Sequence, residues 1–147
     1  MNSRVLSQPE SIGSEKVHVL IFETGDEVCE ELLRFVRRTR IKSAHFTAIG
    51  AFNRVVLGYF DWEKKEYVRI PVEEQVECLS FIGTVALENG EPGIHAHIVV
   101  GKRDGTLMGG HLLEAHVRPT LELTLSETPA HLHRETDQRS GLVLIKV

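Results

Sequence analysis

Two histidines one residue apart, in Ile94-His95-Ala96-His97-Ile98, are the most chemically suggestive pair in this 147-residue chain. Side chains alternate along a strand, so His95 and His97 share a face while Ile94, Ala96 and Ile98 take the other. Each neutral imidazole on that face offers one ring nitrogen to a metal ion. A third histidine is within reach through the turn that follows. A three-residue loop of Arg103, Asp104 and Gly105 puts Gly105 in the left-handed position such loops require and pairs Lys102 with Thr106. The same register pairs His97 with His111. A two-residue Asp104-Gly105 turn would instead set His111 against Ile98 on the opposite face, and Gly109-Gly110 leaves room for a shifting bulge. In the first register His95, His97 and His111 converge. A three-histidine set with a vacant fourth position suits zinc or a similar divalent first-row metal. The alternative is a solvated sheet face carrying scattered histidines.

Strands must position these residues. Lys16–Phe22 is rich in β-branched residues and predicts a first strand. Thr24-Gly25-Asp26-Glu27 has the T-x-x-E form of a capping box, which predicts a helix to about Arg38 or Thr39. Val28, Leu32, Phe35 and Val36 fall at helical spacing and make its buried stripe. Strands follow over residues 44–52 and 54–60, meeting in a turn near Asn53. Residues 66–72 form an edge strand or strand end because of Pro71. Residues 75–87 form a long strand in which Gly83 marks a bulge or bend. Residues 93–101, 120–125 and 142–147 complete the set. The fold class is α+β: a single domain, mainly antiparallel β-sheet, with one principal α-helix. Residues 1–15, polar with Pro9 and Gly13, read as a flexible N-terminal arm, and residues 16–147 as the domain.

Composition narrows the function. Seventeen Lys and Arg against twenty-one Asp and Glu give a formal charge of -4, which excludes nucleic-acid binding by bulk positive charge. No apolar run approaches the ~20 residues of a membrane helix, so no membrane role is expected. No secretory signal is evident, and Cys29 and Cys78 form neither a CxxC pair nor a disulfide framework. A reducing cytoplasm is the expected location.

The run from Gly83 through Glu122 resembles the plants-and-prokaryotes-conserved (PPC) domain. The resemblance is carried by Glu77-Cys78-Leu79-Ser80-Phe81-Ile82-Gly83, His95-Ala96-His97, Asp104-Gly105, Gly109-Gly110-His111-Leu112 and Thr120-Leu121-Glu122. Thr24-Gly25-Asp26-Glu27 and Ala48-Ile49-Gly50-Ala51 resemble earlier segments of the same family. H-x-H followed by G-G-H-L is the most specific piece. The resemblance implies a mixed α/β module with a mainly antiparallel sheet, assembled as a homotrimer. It implies metal ligation at His95, His97 and His111, as in stand-alone prokaryotic members. Plant members bind DNA through AT-hooks that precede the domain. This sequence has no R-G-R-P-type AT-hook, so DNA binding carries over only as a family-level label.

Other residues have plainer readings. His131-Leu132-His133 is a second H-x-H outside the family pattern and suits a surface or subunit contact. His18, His45 and His116 stand alone and read as structural or surface residues. Glu77, Glu114 and Glu122 could each approach the histidine face as a general base or as an orienting partner, against the reading of ordinary ion pairs. Arg34, Arg37, Arg38, Arg40 and Lys42 form the densest basic cluster and read as a solvated helix face more readily than as a phosphate grip. No nucleotide-binding loop and no G-x-S-x-G signature is present. The preferred reading is a metal-binding, non-enzymatic oligomeric module whose biological role the residues do not specify, regulation being one candidate; a metal-dependent enzyme and a DNA-binding protein are the alternatives.

Overall fold

The computed structural model describes residues 1–7, 16–128 and 132–146. Nine strands and one helix are found among them. In chain order these are β1 (Asn2–Ser7), β2 (Lys16–Glu23), α1 (Val28–Thr39), β3 (Ala44–Asp61), β4 (Glu66–Val72), β5 (Val76–Glu88), β6 (Glu91–Gly101), β7 (Leu107–Glu127), β8 (His133–Thr136) and β9 (Val143–Lys146). All pairings are antiparallel except that of β5 with β8. The α+β class with one helix therefore holds, in one mixed sheet.

Four strands hydrogen-bond in a closed ring: β3 with β5, β5 with β6, β6 with β7, and β7 with β3. The ring closes because β3 and β7 are long and bent. The first half of β3 lies between β5 and the end of β7; its second half lies between β4 and the beginning of β7. Register shifts near Gly50, Phe52 and Leu57 supply the bending. The hydrophobic core includes Phe22, Phe46, Phe52 and Phe81, all essentially buried. Each contributes about 1.5–3 kcal/mol by leaving water. The helix buries Val28, Leu32, Phe35 and Val36 against this core, the stripe its spacing predicts.

Several local expectations are corrected. The helix starts at Val28, and its N-cap is Glu27, whose side chain accepts from the Glu30 amide at 2.8 Å. Thr24 is not its cap: with Gly25 at φ 98 it lies in a turn, and its hydroxyl donates to the Pro119 carbonyl. Asn53 makes no chain reversal. It is an exposed residue within the continuous β3, at a register shift against β7. Gly83 is not a bulge either: it pairs regularly with Phe46 and Ala96, and a Cβ there would lie 2.3 Å from the Phe46 ring and 2.6 Å from the His95 carbonyl. Its role is close packing. Within the segment expected as a flexible arm, Asn2–Ser7 forms β1 and pairs with β2; the remainder of the arm lies outside the described residues. Among the described residues β4 pairs with β3 alone, so Pro71 stands at an edge as expected.

Candidate metal centre

The site begins with the β6–β7 turn. Lys102 and Thr106 close it through Lys102 N–H to Thr106 O at 2.9 Å, and Gly105 takes φ 84. This is the three-residue loop, and it pairs His97 with His111. Gly109 and Gly110 stay in register with Val99 and Ile98, without a bulge. Gly110 is needed for another reason: a Cβ there would lie 2.7 Å from the Gly58 carbonyl of β3. The glycine lets β3 come close to the strand that carries His111.

Three imidazoles meet here. One ring nitrogen from each of His95, His97 and His111 lies within 4.8 Å of the other two. His95 Nε2 and His97 Nε2 are 3.3 Å apart. Nitrogens at adjacent corners of a tetrahedral zinc centre stand about 3.3–3.4 Å apart, given zinc–nitrogen bonds of about 2.0–2.1 Å. The donor set therefore fits a divalent first-row ion without rearrangement between these two rings. The Nδ1 of His111 is buried and has no hydrogen-bond partner.

The electrostatics suit ligation. Burial, then the neighbouring His95 and His97, pushes His111 down to about 4. Burial, then His97 and Arg134, also lowers His95. Both rings are thus neutral near pH 7, the form that donates a lone pair to a metal.

Three residues that the sequence reading does not single out complete the surroundings. Tyr67 of β4 stacks on His111, with centroids 4.6 Å apart and planes inclined by 26°. Gly58 makes room for it, since a Cβ there would lie 2.9 Å from the Tyr67 ring. Arg134 of β8 is 6% exposed and donates to the carbonyls of Gly93 and Thr84 and to the Thr84 hydroxyl. Tyr67, Arg134 and Glu88 line a cavity of about 310 Å³ together with His95, His111 and the chain leading into β9. Tyr67 on an edge strand and Arg134 in a short polar strand carry no motif. Only the glycine facing Tyr67 hints at a large ring nearby.

The carboxylates singled out from the sequence lie elsewhere. Glu114 accepts from Arg54 at 2.7 Å and contacts His116 at 2.8 Å, in a surface network that also includes Arg69. Glu77 and Glu122 line a different cleft with Ile49 and Leu79. Glu88 is the carboxylate at the histidine cavity.

The remaining histidines are dispersed. His18 is buried against Phe35 and bonds Glu127 at 2.5 Å. His45 is exposed and lines a shallow depression with His95 and His97. His133 is exposed on β8, and His131 lies outside the described residues. On the helix, Arg34 pairs with Glu31 and Arg38 lies over Phe35 at 6.0 Å. Cys29 and Cys78 are free thiols, both pushed up to about 12, chiefly by burial.

Comparison with known proteins gives this geometry a context. The model of the Plants and Prokaryotes Conserved (PCC) domain matches residues 10–129. A metal-containing protein from Archaeoglobus fulgidus is 33% identical, with TM-score 0.83, over 93% of this chain and 96% of that one. A plant- and prokaryote-conserved protein from Pyrococcus horikoshii is 32% identical, with TM-score 0.86, over 95% of this chain and 98% of that one. A protein from Ralstonia eutropha, named as a candidate DNA-binding protein, is 26% identical, with TM-score 0.84, over 97% and 95% of the two chains. The chain is also 25% identical over 143 residues to the bifunctional protein GlmU of a Synechococcus strain, and spans 22% of the length of that protein.

Proposed function

The chain belongs to the Plants and Prokaryotes Conserved domain family, and from that premise we propose that it is a metal-binding module in which His95, His97 and His111 hold one divalent transition-metal ion, most simply zinc. The observation that carries this reading is the convergence of three imidazole nitrogens within 4.8 Å on one sheet face. The neutrality that burial imposes on His95 and His111 supports it, as does the metal content of the Archaeoglobus relative. Three histidine ligands leave a fourth position for a water or an outside ligand, which a bound zinc ion would polarise as a Lewis acid. The chain's own residues hold the ligands in place: the β6–β7 turn fixes the register, and Tyr67 packs flat on the His111 ring.

The working form in this proposal is a homotrimer in a reducing, cytoplasmic setting. Exposed Ile82, which lines a depression with His95 and His97, and exposed Ile49 and Val99 give that assembly apolar surface to cover. No described helix is long and apolar enough to cross a membrane. The role is binding or regulatory. A metal-dependent enzyme is the second reading, favoured by the cavity that adjoins two of the three histidines. The test is calorimetric titration of EDTA-stripped protein with zinc. One ion per chain is expected, with affinity lost in His111→Ala; uptake that the substitution leaves unchanged would overturn the assignment.

DNA binding is the other alternative, favoured by the name of the Ralstonia relative. The arginine face of α1 would have to supply the contacts, yet Arg34 is already paired with Glu31. A salt-dependent affinity for duplex DNA that falls in Arg37→Ala/Arg38→Ala would establish it. No binding at low ionic strength would exclude it.

A further inference from the structure

The cavity beside the histidines holds a charge that no direct ion pair balances among the described residues. Arg134 is 6% exposed, and the oxygens that accept from it, on Gly93 and Thr84, are all neutral. Among the described residues no carboxylate oxygen lies within 4.0 Å of its guanidinium, and its buried Nε has no partner. Glu88 lines the same cavity and favours the charge through space without pairing with it. A buried cation is costly when it lacks a counter-charge. The three hydrogen bonds to Gly93 and Thr84 hold this one fixed against the cavity.

The rest of the lining limits what could supply the negative charge. Ile94, Leu142 and Leu144 give the cavity a hydrocarbon wall, and His95 and His111 lie on it beside the aromatic ring of Tyr67. Its volume of about 310 Å³ is at the lower end of the ~300–1,000 Å³ range of small-molecule sites. Arg134 and β9 lie beyond residues 10–129 that match the family, so this part of the wall is a feature of the chain's C-terminal segment.

We propose that this cavity binds a small organic carboxylate, whose charge is balanced by Arg134, whose hydrocarbon part packs on Leu142 and Leu144, and whose far end reaches the ion held by the histidines. The last point rests on the metal-site reading; the choice of acid over neutral ligand does not. The C-terminal hairpin of β8 and β9 is then a specificity wall, anchored by the same arginine that recognises the anion.

Butyrate and its neutral counterpart butyramide are the probes, titrated by calorimetry into zinc-loaded and EDTA-stripped protein. Butyrate should bind and butyramide should bind at least about tenfold more weakly, the scale of one charge-assisted contact. Arg134→Gln, which keeps donors for Thr84 and Gly93, should abolish the preference and leave zinc uptake intact. Should that variant fail to fold, Leu144→Trp, a change at an exposed position that fills the cavity, should weaken butyrate binding. Equal binding of acid and amide, or butyrate affinity unchanged in either variant, would overturn the proposal. Selective butyrate binding by a protein that takes up no zinc would refute the metal reading and leave this one standing.

Discussion

At the scale of single residues, the site is defined by imidazoles kept neutral. His111 is pushed down to about 4 by burial and by the two rings beside it, and His95 is lowered by burial, by His97 and by Arg134. In the metal-free protein the unfolded chain therefore binds more protons than the folded one once pH falls below about 6.5. Stability from these residues is fully present above that pH and is lost as pH falls toward 4. The loss is of order 1–3 kcal/mol, the range spanned by a shift of this size on partly exposed rings. Urea unfolding of EDTA-stripped protein at pH 7.5, 5.5 and 4.5 should show it, and His111→Gln should flatten the profile. Equal acid sensitivity in wild type and variant would mean that the loss originates in other groups. The three converging histidines are legible as H-x-H plus a third histidine. Tyr67 and Arg134 are not, because their importance comes from packing between elements far apart in sequence, which no local spacing encodes.

At the scale of elements, one turn decides the site. With Arg103, Asp104 and Gly105 as its loop, His97 faces His111. Deleting Met108, with the turn itself intact, would set His111 opposite Ile98 and turn it to the other face of the sheet. That variant should keep its β-rich circular dichroism and lose zinc affinity by well over the ~10–100-fold typical of changes to outer partners of a metal ligand. Retained zinc binding would show that another register supports the site. Gly105 marks the turn in the sequence but not its length, since a two-residue Asp-Gly turn also takes positive φ there; the register is settled only by the pairing of the strands. Thr24 and Glu27 fit the local capping-box pattern, but tertiary contacts decide the outcome: Thr24 donates to Pro119, and Glu27 both caps the helix and accepts from the Ala115 amide at 2.9 Å. Asn53 departs from its expected turn for a similar reason. Its type suits a reversal, but both flanking segments pair with β7 and hold β3 extended through it.

At the scale of the whole molecule, ring closure of β3, β5, β6 and β7 brings residues from β4, β5, β6, β7 and the C-terminal hairpin around one cavity. The sequence pointed to a mainly antiparallel sheet with one helix, and its period-two patterns were clear enough for that. Closure was not legible, because it depends on the register shifts that bend β3 and β7. The outer face of this ring leaves Ile49 61% and Ile82 54% exposed, more apolar surface than a lone chain needs. As part of the homotrimer proposal, sedimentation should give about three times the chain mass of 16.5 kDa. Ile82→Asp, which puts a charge on that face, should shift the protein toward monomer without unfolding it. A wild-type monomer would contradict the assembly. The central claim remains the metal site, and elemental analysis of purified, untagged protein tests it most directly. Near-stoichiometric zinc or another first-row metal in wild type, absent from His95→Ala/His97→Ala, is the predicted result. A wild-type protein with no bound metal, and none taken up on dialysis against zinc, would contradict the account.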